Sequence, residues 1–116
     1  MSKNFSLVEM TSGNEADLPN ESNKRLVLEL FKRFEESHVF TKGQVVKWKP
    51  GLKNRNVPEY GQPCVVTGIL SRPIYEDNAV SGSPYFMEPL TLIIGCYHEE
   101  DLVEFHVDAR RFEPFD

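Results

Sequence analysis

Apolar side chains recur at near-fourfold spacing early in the chain and at twofold spacing later, and the change of period falls at Gly43. In the early stretch Leu26, Val27, Leu30, Phe31 and Phe34 make one apolar stripe at helical spacing. Glu29 stands four residues before Arg33 and Lys32 four before Glu36, so the opposite face carries ion pairs and water. Ser22 supplies an N-cap hydroxyl, and the pattern predicts a helix over about 22–38, with Leu28 off the stripe. Residues 1–21 are rich in Ser, Asn, Glu and Gly, with Leu7, Val8 and Met10 suited to a short edge segment. The rest of that stretch reads as a mobile arm, because it buries too little to offset the entropy of ordering it.

Past Gly43 the alternation predicts strands. Gln44–Lys49 places Val46 and Trp48 on one face and Val45 and Lys47 on the other. Cys64–Ser71 is almost continuously apolar, which suits a central strand. Leu90–Tyr97 and Leu102–Val107 follow, and face parity fixes their register. With Tyr97 opposite Leu102, His98–Asp101 becomes a four-residue loop, and Leu92, Ile94 and Cys96 share a face with Val103, Phe105 and Val107. The other face pairs Gly95 with Glu104 and Ile93 with His106. Gly95 marks a bend or a close approach. Two long loops separate the strands: Pro50–Pro63, with two glycines and three prolines, and Arg72–Pro89. Asp108 is placed to cap a single helical turn, after which Phe112 returns to the core.

Four strands, one short turn and a final extended segment resemble the strand programme of the small SH3-like barrels. The likeness covers about 40–115 and rests on Gly43-Gln44-Val45-Val46-Lys47-Trp48 as first strand and on Asp108–Phe112 as the turn before the last. The resemblance implies a fold and carries no function with it. The expected class is α+β, mainly β: a five-stranded SH3-like barrel preceded by one N-terminal amphipathic helix, with an arm over 1–21 and a single domain over 22–116.

Composition narrows the function classes. A net charge of −5 and a pI near 5.2 oppose wholesale non-specific attraction to nucleic acid or anionic membrane. No stretch reaches the ~18 consecutive apolar residues of a membrane span. The first thirteen residues hold one lysine and no unbroken apolar run, so the expected address is cytoplasmic. Cys64 and Cys96, the two cysteines, each sit in a strand and read as reduced core residues that are neighbours across the sheet.

The search for chemistry returns little that points to turnover. His38, His98, His106 and the two cysteines lack metal-ligand spacing, and no phosphate-cradling glycine loop is present, so neither metal nor cofactor is expected. The carboxylates Glu99, Glu100 and Asp101 read as a solvated hairpin tip, and Ser71, Ser81 and Ser83 have no nucleophile context. The distinctive feature is a basic run without an acid: Lys42, Lys47, Lys49, Lys53 and Arg55, with Trp48 among them and Tyr60 close behind. Cations interleaved with aromatics suit a single nucleic-acid strand. Against that, the second half of the chain is acidic, and the long loops carry Tyr60, Tyr75, Tyr85 and Phe86, as a protein-recognition groove would. The expectation is a non-enzymatic module that recognises a protein or peptide partner, as an accessory or inhibitory subunit, through Lys47, Lys49, Lys53, Arg55, Tyr60 and Tyr85. Nucleic acid is the alternative partner of the basic loop, and an enzyme the remaining class. Monomer and homodimer both stay open. Trp48 stays open between two places: parity turns it inward with Val46 as a structural residue, while its position among the lysines suits the contact surface.

Overall fold

Alternation of buried and exposed positions after Gly43 builds one antiparallel sheet. The computed structural model describes residues 17–75 and 87–116, and the chain divides into two units, 1–33 and 34–116. Helix α1 spans Asp17–Glu35. It begins five residues before the expected Ser22 cap, so Ser22 is an interior residue and 17–21 are helical rather than part of an arm. Pro19 falls in the first turn, where a missing amide hydrogen forfeits no helical bond, so it does not stop the helix from starting earlier. Residues 1–16, with Leu7, Val8 and Met10, lie outside the described residues. Within the helix Leu26, Val27, Leu28 and Phe31 are each more than half exposed.

In the second unit the strands are β1 (Val45–Trp48), β2 (Cys64–Ile74), β3 (Leu90–His98), β4 (Asp101–Val107) and β5 (Phe112–Pro114), with a 3₁₀ turn at Ala109–Arg111 before the last. Their order is β4-β3-β2-β1-β5, every neighbouring pair antiparallel. β2 is central, as its apolar run requires. Val46, Trp48, Val66, Ile94, Val107 and Phe112 are buried on the inner face, where Trp48 stacks on Phe112 with ring centres 4.3 Å apart. Among the described residues the sheet does not close as expected. β4 and β5 stand at the two ends of the sheet, and β5, three residues long, pairs with β1 alone among the described residues. The architecture is a mixed α+β fold with an open five-stranded sheet.

The hairpin register is the one parity dictates: Tyr97 faces Leu102, Gly95 faces Glu104 and Ile93 faces His106. A β-carbon on Gly95 would sit 3.0 Å from Leu102 Cδ1 and 3.2 Å from Thr67 Cγ2, so the glycine admits two close neighbours. The loop is shorter than expected. His98 pairs directly with Asp101, leaving Glu99 and Glu100 as a two-residue turn with φ of 51° and 72°. Both glutamates occupy the left-handed region that a tight hairpin turn demands and that side chains disfavour. Replacing Glu99→Asn and Glu100→Gly together should raise the unfolding free energy by about 1–2 kcal/mol. An unchanged or lower urea midpoint would count against this reading of the turn.

Asp108, 2 % exposed, caps the 3₁₀ turn as the sequence suggests. Its Oδ1 accepts from the Arg110 amide at 3.0 Å, and Arg110 Nη2 donates to Oδ2 at 2.7 Å. The Arg110 and Arg111 guanidinium groups sit over the Phe34 ring at 4.4 and 5.2 Å.

Candidate functional site

The long segment between β1 and β2 is tied down along its length. Lys49 N donates to Arg111 O at 2.8 Å and Leu52 N to Lys49 O at 3.1 Å. Leu52 and Pro58 are buried. The Trp48 indole nitrogen donates to Pro58 O at 2.7 Å, which fixes the middle of the loop to the core. Near the end of the loop, Gln62 Nε2 donates to Tyr97 O at 3.0 Å. Gly51 and Gly61, with φ of 83° and 77°, make the two reversals that bring Pro50 and Tyr60 to one side. The result is an open cleft of about 370 Å³ lined by Lys47, Trp48, Pro50, Gly51, Tyr60, Gly61 and Glu113.

One wall of the cleft is pre-set. Tyr60 Oη accepts from the Lys53 amide at 3.2 Å while the residue stays 53 % exposed. Lys53 Nζ lies 5.8 Å from the centre of that ring, and Lys47 Nζ lies 5.5 Å from the Phe115 ring. Glu113, opposite Lys47 in the β1–β5 register, adds a carboxylate at the other side. A cleft with an aromatic wall, an apolar floor at Trp48 and Pro50 and charges at its rim can hold a side chain and orient its neighbours.

Of the residues expected at the contact surface, Lys49 is buried and Arg55 is half-buried in an ion pair. Lys49 is fully buried and its Nζ donates to the Glu36 carbonyl at 2.5 Å. Burial pushes its amine below the usual lysine range, against the opposing pull of Glu36, Glu113 and Asp108. Its inward position follows from the turn at Pro50-Gly51, which breaks the strand parity that would have sent Lys49 outward. Arg55 Nη2 pairs with Glu88 Oε1 at 3.3 Å. Glu88, 5 % exposed, also accepts from Asn54 Nδ2 at 3.1 and 3.2 Å and from Arg111 Nε, while Arg111 Nη1 donates to Leu52 O at 3.1 Å. The basic run is therefore divided: Lys49 and Arg55 hold the loop, Lys47 and Tyr60 line the cleft, and Lys53 stands beside the Tyr60 ring. Tyr85 and Phe86 lie outside the described residues, and Tyr75 is 49 % exposed.

Sequence reasoning missed Pro50, Gly51, Gly61 and Glu113 as cleft residues. The adjacent pairs Pro50-Gly51 and Tyr60-Gly61 are turn signals that could have located its ends. Among the described residues no group of three or more His, Cys, Asp or Glu is placed to hold a metal ion, and no helix is long and apolar enough to cross a membrane. No protein-family model, curated protein or solved structure matches the chain.

Proposed function

We propose that the chain is a non-enzymatic binding module that captures a peptide segment of a protein partner in the Lys47–Tyr60 cleft. The observation that carries this reading is the Tyr60 ring, exposed yet anchored by the Lys53 amide, at the wall of an apolar-floored cleft flanked by two lysines. An anchored aromatic loses little side-chain freedom on binding, which favours affinity. The occupant is a segment with an apolar side chain for the floor and an acidic group for Lys47 and Lys53. The element order, with a 3₁₀ turn before a short last strand paired to the first, supports grouping the domain with SH3-like barrels. Such a module acts as an accessory or inhibitory subunit in the cytoplasm.

The test is selection of a random peptide library on the immobilised chain, counter-screened with Tyr60→Ala and Lys53→Glu. Both positions are accessible enough for the variants to keep the melting temperature of the original. Selected peptides should bind at least about tenfold more weakly to Tyr60→Ala, a cost of about 1.4 kcal/mol. Peptides indifferent to both substitutions would contradict the reading.

A nucleic-acid partner is the second reading, and the division of the basic run weakens it. With Lys49 and Arg55 engaged internally, Lys42, Lys47 and Lys53 remain to meet phosphates on a chain of net charge −5. Titration with single-stranded oligonucleotides at two salt concentrations separates the readings, because phosphate contacts weaken steeply as salt rises.

A further inference from the structure

The two cysteines of the chain face each other in the core. Val65 pairs with Gly95 and Val66 with Ile94 across β2 and β3, so one step further along the same register Cys64 stands opposite Cys96. Their Sγ atoms are 2.8 Å apart, both thiols are free, and the residues are 3 % and 1 % exposed. Directly opposed residues in an antiparallel pair have α-carbons about 4.5–5.5 Å apart, inside the span a disulfide bridges without moving the backbone. The hydrogen bond between them raises the Cys64 thiol and lowers the Cys96 thiol, while burial opposes ionisation of either.

We infer that Cys64 and Cys96 form an oxidation site that closes to an intramolecular disulfide within the folded chain when hydrogen peroxide is the oxidant. One sulfur of the pair attacks a peroxide oxygen, the O–O bond breaks, and water leaves as that cysteine becomes a sulfenic acid. The other sulfur then displaces the hydroxyl group, which departs as a second water with the thiol proton, and the S–S bond forms. The peroxide gains two electrons and the two thiols lose them. Burial selects the oxidant: a thiol almost without exposed surface does not reach a mixed disulfide with a bulky partner such as oxidised glutathione, whereas a peroxide needs little more room than a water.

The pair is also coupled to the binding cleft. Cys64 Sγ approaches Gln62 O at 3.7 Å, and Gln62 follows Gly61 in the cleft wall while its side chain reaches Tyr97 O. Closing the disulfide removes the thiol hydrogen from this chain of contacts. Oxidation should therefore shift the amide resonances of residues 60–62 as well as those of the two strands. This inference stands independently of what the cleft binds.

The experiment treats the folded, reduced chain with hydrogen peroxide or with oxidised glutathione, then unfolds and alkylates it before measuring intact mass. With peroxide the chain should become about 2 Da lighter and take up no alkylating agent, as a disulfide requires. With oxidised glutathione it should stay reduced and take two alkyl groups after unfolding. Cys64→Ser and Cys96→Ser, run beside it, should not yield the lighter species. Sulfinic or sulfonic products, chain-to-chain disulfides, or two thiols still alkylated after peroxide would each overturn the inference, as would glutathione adducts on the folded chain. The unmodified chain alone decides the matter, whether or not the serine variants fold.

Discussion

Replacing Glu88 with alanine is expected to lower the unfolding free energy by roughly 3–5 kcal/mol, the cost of removing one partner from a buried charged cluster. Glu88 sits under the loop and just ahead of β3, where its two oxygens take hydrogen bonds from Asn54, Arg55 and Arg111. Taking the carboxylate away removes an acceptor that two guanidinium groups and the Asn54 amide share, and a polar group held partly out of water loses more than one hydrogen bond's worth when its partner goes. Arg111 further supports Leu52 O, so the damage spreads to the cleft wall. Glu88→Gln keeps acceptor capacity and loses only the charge, so it should fall between the original and Glu88→Ala. Urea unfolding of the three proteins checks the order. A loss below about 1 kcal/mol for Glu88→Ala, the scale of an exposed ion pair, would mean the cluster is solvated.

Lys49→Glu should be at least as damaging, by about 4 kcal/mol or more, enough to unfold a domain of ordinary stability. The substitution buries a carboxylate with no donor, in the field of Glu36, Glu113 and Asp108 that now opposes it. Lys49→Met is the informative contrast, since it fills a similar space and gives up the bond to the Glu36 carbonyl and the attraction of Glu36, Glu113 and Asp108. Its cost should be about 1–3 kcal/mol, partly offset by the charge no longer desolvated. The pH dependence has a definite sign. Burial sets the folded-state pKa of Lys49 below its unfolded value, so between those two values the unfolded chain binds more protons and stability rises with pH. As pH is raised through the folded value towards about 10.4, the original chain should therefore gain stability relative to Lys49→Met. If the difference between them stayed flat or narrowed over that window, the amine would be solvated.

These two residues also show where sequence legibility stops. The hairpin register of β3 and β4 was readable because side-chain parity is local: a slip of one residue would turn Ile94 and Val107 to water. Asp108 was legible through its capping position, whereas Trp48 was not decided: alternation turned it inward and its lysine neighbours pointed outward, and the stacking on Phe112 settles it. Helix α1 was recognised by its stripe, while its start was misjudged because Pro19 was not weighed as a first-turn residue. The basic run was seen, and its division was not. Nothing near Arg55 signals that its counter-charge lies 33 residues away, and the inward turn of Lys49 depends on the reversal at Gly51. Closure of the sheet was inferred from the Gly43–Trp48 strand, the turn at Asp108–Phe112 and Gly95 as a point of bending, whereas the pairing of β4 and β5 depends on lengths and bulges that alternation does not encode.

Everything proposed for the cleft depends on the 50–62 segment being held by Trp48, Arg111 and Glu88 before any partner arrives. Backbone ¹⁵N relaxation on the free chain measures this directly. Order parameters for residues 50–62 should lie near about 0.85, level with those of β2 and β3. Values below about 0.6 across the segment would describe a loop that takes shape only on binding, and the pre-formed cleft would be contradicted.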